Sequence, residues 1–384
     1  DANVAIGKDS MFTNTTGDNN VAMGFSALTA NTTATGNVAV GASTMLDNTT
    51  GAQNTALGNE ALANNTTAAN NVAVGSGAAF KNTTGGDNVA VGVNSFKCNT
   101  TGTSNVAIGT TTLDSNTTAS GNTAVGRSAL GNSTTGANNT AIGCAALLAN
   151  TTGGDNVAVG RCSLKSNTTG TDNVATGKCT LQTNTTGGCN TAFGSKALIS
   201  NTTGGSNTAV GLAAGEGNTT GADNTSVGTA AGLNVTTGSN NLFLGHDAGR
   251  SNSPQLVTTG SNKIVLGNNS ITQAYIKVDW TVTSDLRDKT EIKDVTHGLD
   301  FVSKITPIEY KFKKSREDDT PTGNKKYGFK AQEILALEGD NPIIIDNDDT
   351  DNLKLTSAHL IPVLVNAIKE LNEKIKILES KWVN

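Results

Sequence analysis

A repeat with a strict period of 17 residues constrains this chain more than any other feature. A motif of the form Asn-x-x-x-Gly, in most copies Asn-(Val/Thr)-Ala-x-Gly, recurs without insertion, with its glycine at positions 7, 24, 41, 58, 75, 92, 109, 126, 143, 160, 177, 194, 211, 228 and 245. A further copy, KIVLG, ends at Gly267 after five extra residues. A short fixed period is typical of a solenoid or fibrous array, in which each repeat packs only on its neighbours.

Each repeat divides into segments with separate structural roles. In Asn88–Gly92 the alternation predicts a strand with Val89 and Val91 on one face and Ala90 on the other. A larger apolar residue, such as Leu28, usually follows four residues after the glycine, and Asn-Thr-Thr-Gly then predicts a turn. If the repeats stack in register, the invariant asparagines form a hydrogen-bonded ladder along the stack.

The core of one such stack is thin, because each repeat buries about three large apolar groups, worth roughly 2–3 kcal/mol each. Ordering the backbone costs on the order of 1–2 kcal/mol per residue. Three chains around one axis would bury the Leu and Val positions a second time, and we therefore predict a homotrimer. In the last three repeats the anchor is Gly215, Gly232 or Gly249, which predicts a narrower or reshaped stack.

Composition argues against several functional classes. The net charge is −5, with no basic block, so nucleic acid is not an expected partner. No apolar run approaches the roughly 18 residues needed to span a bilayer, so no membrane insertion is expected. The recurrent Thr-Thr pairs leave an ice-binding β-solenoid as a remote alternative. It is disfavoured because neighbouring strand residues point to opposite faces.

No cofactor and no metal site are expected. Calcium-binding β-rolls need acidic ligands on most turns, whereas Asp precedes the invariant Asn in only a few repeats. The three histidines, His246, His297 and His359, are isolated in sequence and are interpreted as structural. Asn-Thr-Thr also satisfies the glycosylation sequon, and the sequence leaves open whether glycans are attached.

Two of the five cysteines, Cys162 and Cys179, are 17 residues apart and therefore occupy equivalent positions on adjacent turns. Adjacent turns are close enough for a disulfide, although free, partly buried thiols are the favoured interpretation.

The sequence pattern changes after Gly267, and we predict a fibre shaft over 1–272 followed by a small α+β domain over 273–384. Predicted elements in the second domain are a strand over 275–282, a helix-like segment from 284 to Phe301, a strand over 305–314, a strand-to-helix segment over 326–334 and a final helix over 356–382.

The final helix carries an apolar heptad seam, which is typical of a coiled coil and permits three strands. The seam consists of Leu364, Ile368, Leu371, Ile375, Leu378 and Trp382. The alternative is that this stripe packs on its own domain.

The order W…SDxRxK…GLDFVxKIxPIEYKF…YGFKAQE…AIKELNEKIKxLE, from Trp280 onward, resembles the C-terminal intramolecular chaperone domain of phage tail spikes and endosialidases. The resemblance implies a domain that trimerises the chain, templates folding of the β-fibre before it and often cuts itself off. It further implies Ser284 as the nucleophile and Lys289 as its general base. The repeats are similar to those of tail-fibre and adhesin stalks.

The implied chemistry has a physical requirement, because a lysine acts as a base only when unprotonated. Burial or a neighbouring cation such as Arg287 lowers a lysine pKa, while the carboxylates of Asp285, Asp288 and Glu291 raise it. The alternative is that Ser284 and Asp285 cap a helix that carries Lys289 on its solvent face.

These observations predict a mainly β, trimeric solenoid fibre with a C-terminal chaperone domain, acting as a structural tail fibre or receptor-binding fibre of a phage or virus. The alternative is a trimeric surface adhesin or stalk of a bacterium. The expected partners are two further copies, other virion tail or capsid proteins reached through a preceding segment, and a host receptor or glycan. The expected location is the virion or the extracellular surface, and any enzymatic activity is at most single-turnover autoproteolysis.

Overall fold

A computed structural model of the chain describes residues 2–271, 273–277, 282, 284–313, 316–348 and 350–382. The chain divides into two compact units, a solenoid unit, Asp1–Ile271, and a C-terminal unit, Thr272–Asn384.

The solenoid unit is a parallel β-solenoid, which confirms the predicted mainly β fold. Its sixteen three-residue strands form one sheet in which each strand pairs with the next along the chain. The strands β1 to β16 are Val4–Ile6, Val21–Met23, Val38–Val40, Thr55–Leu57, Val72–Val74, Val89–Val91, Val106–Ile108, Thr123–Val125, Thr140–Ile142, Val157–Val159, Val174–Thr176, Thr191–Phe193, Thr208–Val210, Thr225–Val227, Leu242–Leu244 and Ile264–Leu266. Because neighbouring strands lie about 4.8 Å apart, the stack is about 70 Å long.

The interior of each turn is filled by the central strand residue and the apolar anchor. In the turns around β7, Ala107 and the anchor Leu113 are fully buried, whereas Val106 and Ile108 point outward. The anchor leucines are therefore completely covered within a single chain. The expectation that trimer formation would bury the Leu positions a second time is wrong, whereas the outward strand positions, with most of the valines, remain at least partly open to solvent.

The predicted ladder of invariant asparagines is present in the buried interior. The amide of Asn105 donates to Asn88 Oδ1 (3.1 Å) and to the carbonyl of Ala119 (2.9 Å), and its Oδ1 accepts from the backbone N–H of Asn122 (3.0 Å). Each amide thus closes its own turn and ties it to its neighbours, so that the polar groups of the narrow core are satisfied.

A second ladder, which the sequence analysis did not predict, is formed by the asparagine of Asn-Thr-Thr-Gly. Asn99 Nδ2 donates to Asn82 Oδ1 at 2.7 Å and to the carbonyl of Gly102 at 3.1 Å. Ser133 and Val235 interrupt this ladder, and the buried Oδ1 atoms on the turns before them, of Asn116 and Asn218, have no hydrogen-bond partner.

The tight corners require left-handed backbone at several positions of each turn. Gly92 has φ +133°, and a Cβ there would lie 2.5 Å from the carbonyl oxygen of Gly109, so this position requires glycine. The anchors are left-handed as well, for example Leu130 with φ +51°. A left-handed residue with a side chain costs about 1–2 kcal/mol, which full burial of a leucine offsets.

The last turns exchange the positions of large and small side chains. Gly249 stands at an anchor position, where a Cβ would lie 2.5 Å from Phe243 Cδ1, because the strand residue Phe243 replaces alanine and fills the interior. At Gly232 the space that an anchor side chain would need is taken by the Oγ of Ser226 and the ring of Phe243. The predicted reshaping is therefore a change in which position, strand centre or anchor, carries the large interior side chain. The strands remain paired from β13 to β16.

The C-terminal unit contains two small antiparallel sheets and three α-helices among its described residues. Its elements are a 3₁₀ helix Leu286–Asp288, α1 Leu299–Val302, β17 Ile308–Lys313, β18 Pro321–Gly328, α2 Ala331–Glu338, β19 Ile345–Asp346, β20 Lys354–Leu355, a 3₁₀ turn Ser357–His359 and α3 Leu360–Trp382. Strand β17 pairs with β18 and β19 with β20. The core is formed by Phe301, Ile334, Ile344, Ile345, Leu360 and Val363.

Two predictions for this unit need correction. The predicted helix-like segment from 284 to Phe301 is one short 3₁₀ turn, an extended segment and the first part of α1, because no regular apolar spacing supports a helix there. Of the strand predicted over 275–282, the described residues 275–277 and 282 are not in a strand, and 278–281, with Trp280, lie outside the described residues.

We expect Ser133→Asn to stabilise the solenoid, because the new amide would donate to the unpaired Oδ1 of Asn116 in a position that accepts asparagine on the other turns. The gain in unfolding free energy is about 1 kcal/mol, and the reverse change Asn99→Ser should lose about 1–3 kcal/mol. Urea unfolding followed by circular dichroism measures both; a destabilised Ser133→Asn would contradict the role assigned to the ladder.

Candidate functional site

The segment that begins at Ser284 is organised by a carboxylate cap. Asp285 is the N-cap of the 3₁₀ helix Leu286–Asp288, and its Oδ1 accepts the backbone N–H of Arg287 at 2.9 Å. The Arg287 guanidinium also donates to the same carboxylate, with Nη2 at 2.6 Å from Oδ2. These contacts order the centre of a six-residue loop, residues 284–289.

The loop brings together the two residues that the sequence analysis singled out. Lys289 is the C-cap of the 3₁₀ helix, and its Nζ lies 2.8 Å from Ser284 Oγ. This is the distance at which an amine and a hydroxyl exchange a proton. Both residues are exposed within a single chain, and in the bond described here the lysine donates.

The neighbouring charges are arranged differently from the expectation. The guanidinium of Arg287, the candidate neighbouring cation, is paired with the carboxylate of Asp285. The side-chain hydrogen bond from Arg287, followed by its backbone N–H, holds the pKa of Asp285 below its ordinary value. The same pairing raises the pKa of Arg287.

The capping alternative is therefore partly realised in the same loop. Asp285 provides the cap and Lys289 is exposed, as that alternative requires, whereas the Ser284 hydroxyl contacts the lysine and takes no part in the cap. A capped loop and a serine–lysine contact are compatible with each other.

Long-range contacts that the sequence analysis missed hold later segments of the C-terminal unit together. Glu370 of α3 accepts the backbone N–H of Leu299 at 2.8 Å, and Asn366 donates to the carbonyl of His297 at 3.0 Å. Glu338 accepts three successive N–H groups from Ile343 to Ile345. No local sequence signal distinguishes these side chains from solvated ones.

The histidines and cysteines have no arrangement typical of a metal site. Among the described residues no group of three or more His, Cys, Asp or Glu side chains could hold a metal ion. His297 stacks on Phe301, and His359 Nδ1 lies 2.8 Å from the carbonyl of Ile343. All five cysteines, including Cys162 and Cys179, are free thiols.

The Asn-Thr-Thr turns place the asparagine and the two threonines in different environments. The asparagine amide is buried in the second ladder from Asn31 onward, so the folded turn offers no accessible glycosylation acceptor there. The first threonine donates to the next turn, as Thr100 Oγ1 does to the carbonyl of Thr117 at 3.0 Å. The second, such as Thr84, is exposed on every turn and forms one rank of hydroxyls.

Among known protein families, residues 284–340 match the model described as chaperone of endosialidase. Searches of curated proteins and of solved structures found no match. The family match includes Ser284, Lys289, β17, β18 and α2, and it ends before α3. None of the described helices is long and apolar enough to span a membrane. The chain thus joins a β-solenoid to a region that matches the chaperone-of-endosialidase model, a combination that fits a tail-fibre-type protein with a C-terminal chaperone.

Arg287→Ala should raise the pKa of Asp285 toward its ordinary value, because the guanidinium hydrogen bond that favours the carboxylate is lost. In the unmodified chain the lowered pKa means that the ion pair persists at neutral pH and is lost as pH falls through that pKa. A ¹³C NMR titration of the Asp285 carboxyl tests this, with Lys293→Ala as a control outside the loop. An unchanged Asp285 pKa in Arg287→Ala would contradict the described pairing.

Proposed function

We propose that this protein is a homotrimeric tail fibre of a phage or virus whose C-terminal unit trimerises the chain and directs folding of the solenoid. This proposal rests on the chaperone-of-endosialidase match over 284–340, which follows sixteen nearly uniform turns in the sequence. The proposed location is the virion, with other tail or capsid proteins and a host receptor or glycan as partners.

The uniform solenoid supplies the physical need for a chaperone. Every turn presents the same pattern of strand, ladder and corner, so copies of the chain can align in many registers shifted by whole turns. Holding equivalent residues of the chains side by side at one end excludes the shifted registers. A trimeric C-terminal unit does this and gives the turns a starting point from which to form.

The exposed seam of α3 supports the trimer. Within the chain the helix packs through Leu360, Val363 and Ala367, which are buried. The heptad seam lies elsewhere on the helix and is exposed: Leu364 44%, Ile368 65%, Leu371 44%, Ile375 44%, Leu378 56% and Trp382 88%. The alternative that this stripe packs on its own domain is therefore not favoured.

The last part of α3 strengthens this argument. From Ile368 to Trp382 all described residues are exposed, so the described part of the chain buries no side chain of these turns. Isolated helices shorter than about 12–15 residues are marginal in water. Partner helices on the seam would supply the missing burial, at roughly 1.5–3 kcal/mol for each fully buried apolar side chain.

We further propose that the Ser284–Lys289 pair can cleave the chain once, beside Ser284. The Ser284 oxygen would attack an adjoining peptide carbonyl and release the amine, Lys289 would carry the proton between them, and water would hydrolyse the resulting ester. This requires neutral Lys289, and burial of the exposed loop in an assembled trimer would favour that state.

Two substitutions two residues apart on α3 test the trimer. Ile375→Asp places a carboxylate in the proposed seam, whereas Ile377→Asp makes the same change at a position that is similarly exposed, 44% against 54%, but outside the seam. By sedimentation velocity we expect the unmodified chain and Ile377→Asp to be trimers of the 38.9 kDa chain. Ile375→Asp should dissociate, with trimer formation weakened at least tenfold, and a monomeric unmodified chain would refute the proposal.

Self-cleavage is tested by incubating the purified full-length chain and following its mass. We expect two fragments separated beside Ser284, no cleavage in Ser284→Ala, and cleavage reduced by at least 100-fold in Lys289→Met. Lys293→Met is the matched control and should cleave normally. An unmodified chain that remains intact in its trimeric form would rule out an active pair.

A further inference from the structure

The outward face of the solenoid sheet is apolar over its whole length. Each three-residue strand points its first and third side chains outward, which gives 32 positions on sixteen strands. All of them are apolar or threonine, and within the described turns none carries a charge. We call these 32 side chains the sheet face.

Strand propensity alone does not explain the sheet face. β-Branched residues favour strands, but solvent-facing strand positions also accept charged side chains. The position directly after the glycine is exposed on most turns and carries a charged side chain on four of them, at Lys8, Arg127, Arg161 and Lys178. Charge is therefore tolerated beside the sheet face and absent from it.

Several large side chains on the sheet face remain substantially open to solvent. Ile6 is 55% exposed, Leu57 49%, Phe193 44% and Leu266 51%. If each of the 32 positions leaves on the order of 50 Å² open, the face amounts to roughly 1,600 Å², whereas the largest apolar patch of a typical monomer is about 300–600 Å². Shared between two neighbouring copies, this is about 800 Å² per contact, the size of a standard stable interface.

The spacing of the sheet face selects its partner. Its side chains repeat at every turn, about 4.8 Å apart, over about 70 Å. A globular partner would match such a surface over a few turns only. A second solenoid with the same rise matches it along the whole length, and its uncharged surface introduces no repulsion.

We propose that the sheet face is the surface through which copies of this chain pack side by side, so that the assembly is joined along the entire solenoid. This inference rests on the homotrimer proposed above and extends it from the C-terminal helices to the shaft. The outward strand residues, and not the buried anchors, would then form the shared core between chains.

Site-directed cross-linking of the full-length chain tests this. All five cysteines are first changed to serine. In this background Val89→Cys and Val91→Cys each place a single thiol on the sheet face. Thr84→Cys places one on an exposed threonine that lies outside the sheet face. A short bis-maleimide spans the roughly 10 Å between packed sheets. At least one sheet-face variant should give covalent dimers, with up to two thirds of the chain linked, and Thr84→Cys should give less than a tenth of that yield.

Sedimentation of the same samples separates the two proposals. If the unmodified chain, with its five natural cysteines, sediments as a monomer, the homotrimer itself is refuted. A trimeric parent in which neither sheet-face variant cross-links, or in which Thr84→Cys cross-links instead, would overturn the sheet-face inference and leave the trimer standing. Triple substitution of Val91, Ile108 and Val125 by lysine gives a second readout. In the trimer it should increase hydrogen exchange of β6 to β8 at least tenfold, and lysine at Thr84, Thr101 and Thr118 should not.

Discussion

The solenoid depends on the hydrogen bonds of asparagine amides that are buried inside it. A turn of 17 residues cannot bury enough apolar surface to offset the ordering of its backbone, and its narrow interior leaves backbone groups that no regular strand can pair. The Asn105 amide and its equivalents satisfy these groups and join consecutive turns at the same time. The small strand alanines leave room for the large anchors, since the strand residue becomes Phe243 where the anchor position becomes Gly249.

The ladder also determines what the outside of the molecule can be used for. The asparagines and anchors are buried within one chain, and on the outside the hydrogen bond of the first threonine is the side-chain contact that recurs on nearly every turn. The sheet face, the glycine-following positions and the second threonine can therefore differ in chemistry without affecting the fold. In the C-terminal unit, by contrast, side chains such as Glu370 and Asn366 hold separate segments together, and the fold has no repeated element.

Sequence periodicity predicted the solenoid well because the same residue pattern recurs in every turn. The strands, the turns and the first asparagine ladder follow from one 17-residue pattern. The pattern did not reveal which strand face is interior, since alanine and valine are both apolar, nor that Leu130 and the other anchors adopt left-handed backbone. In the C-terminal unit the sequence predicted β17, α2 and α3. The family resemblance implied the Ser284–Lys289 pair, whose side chains are in contact and whose catalytic role stays a prediction. The sequence analysis missed the Arg287–Asp285 contact and Glu338, because their partners are chosen by tertiary geometry.

Because nearly every turn makes the same hydrogen bonds to the turns beside it, the length of the solenoid is set by the number of its turns. Duplication or loss of one 17-residue segment by unequal recombination would lengthen or shorten it by about 4.8 Å and leave both ends unchanged. The twenty-two-residue spacing between β15 and β16 shows that even an enlarged corner preserves the pairing. The length of the solenoid can therefore evolve in steps of one turn, independently of what adjoins it at either end.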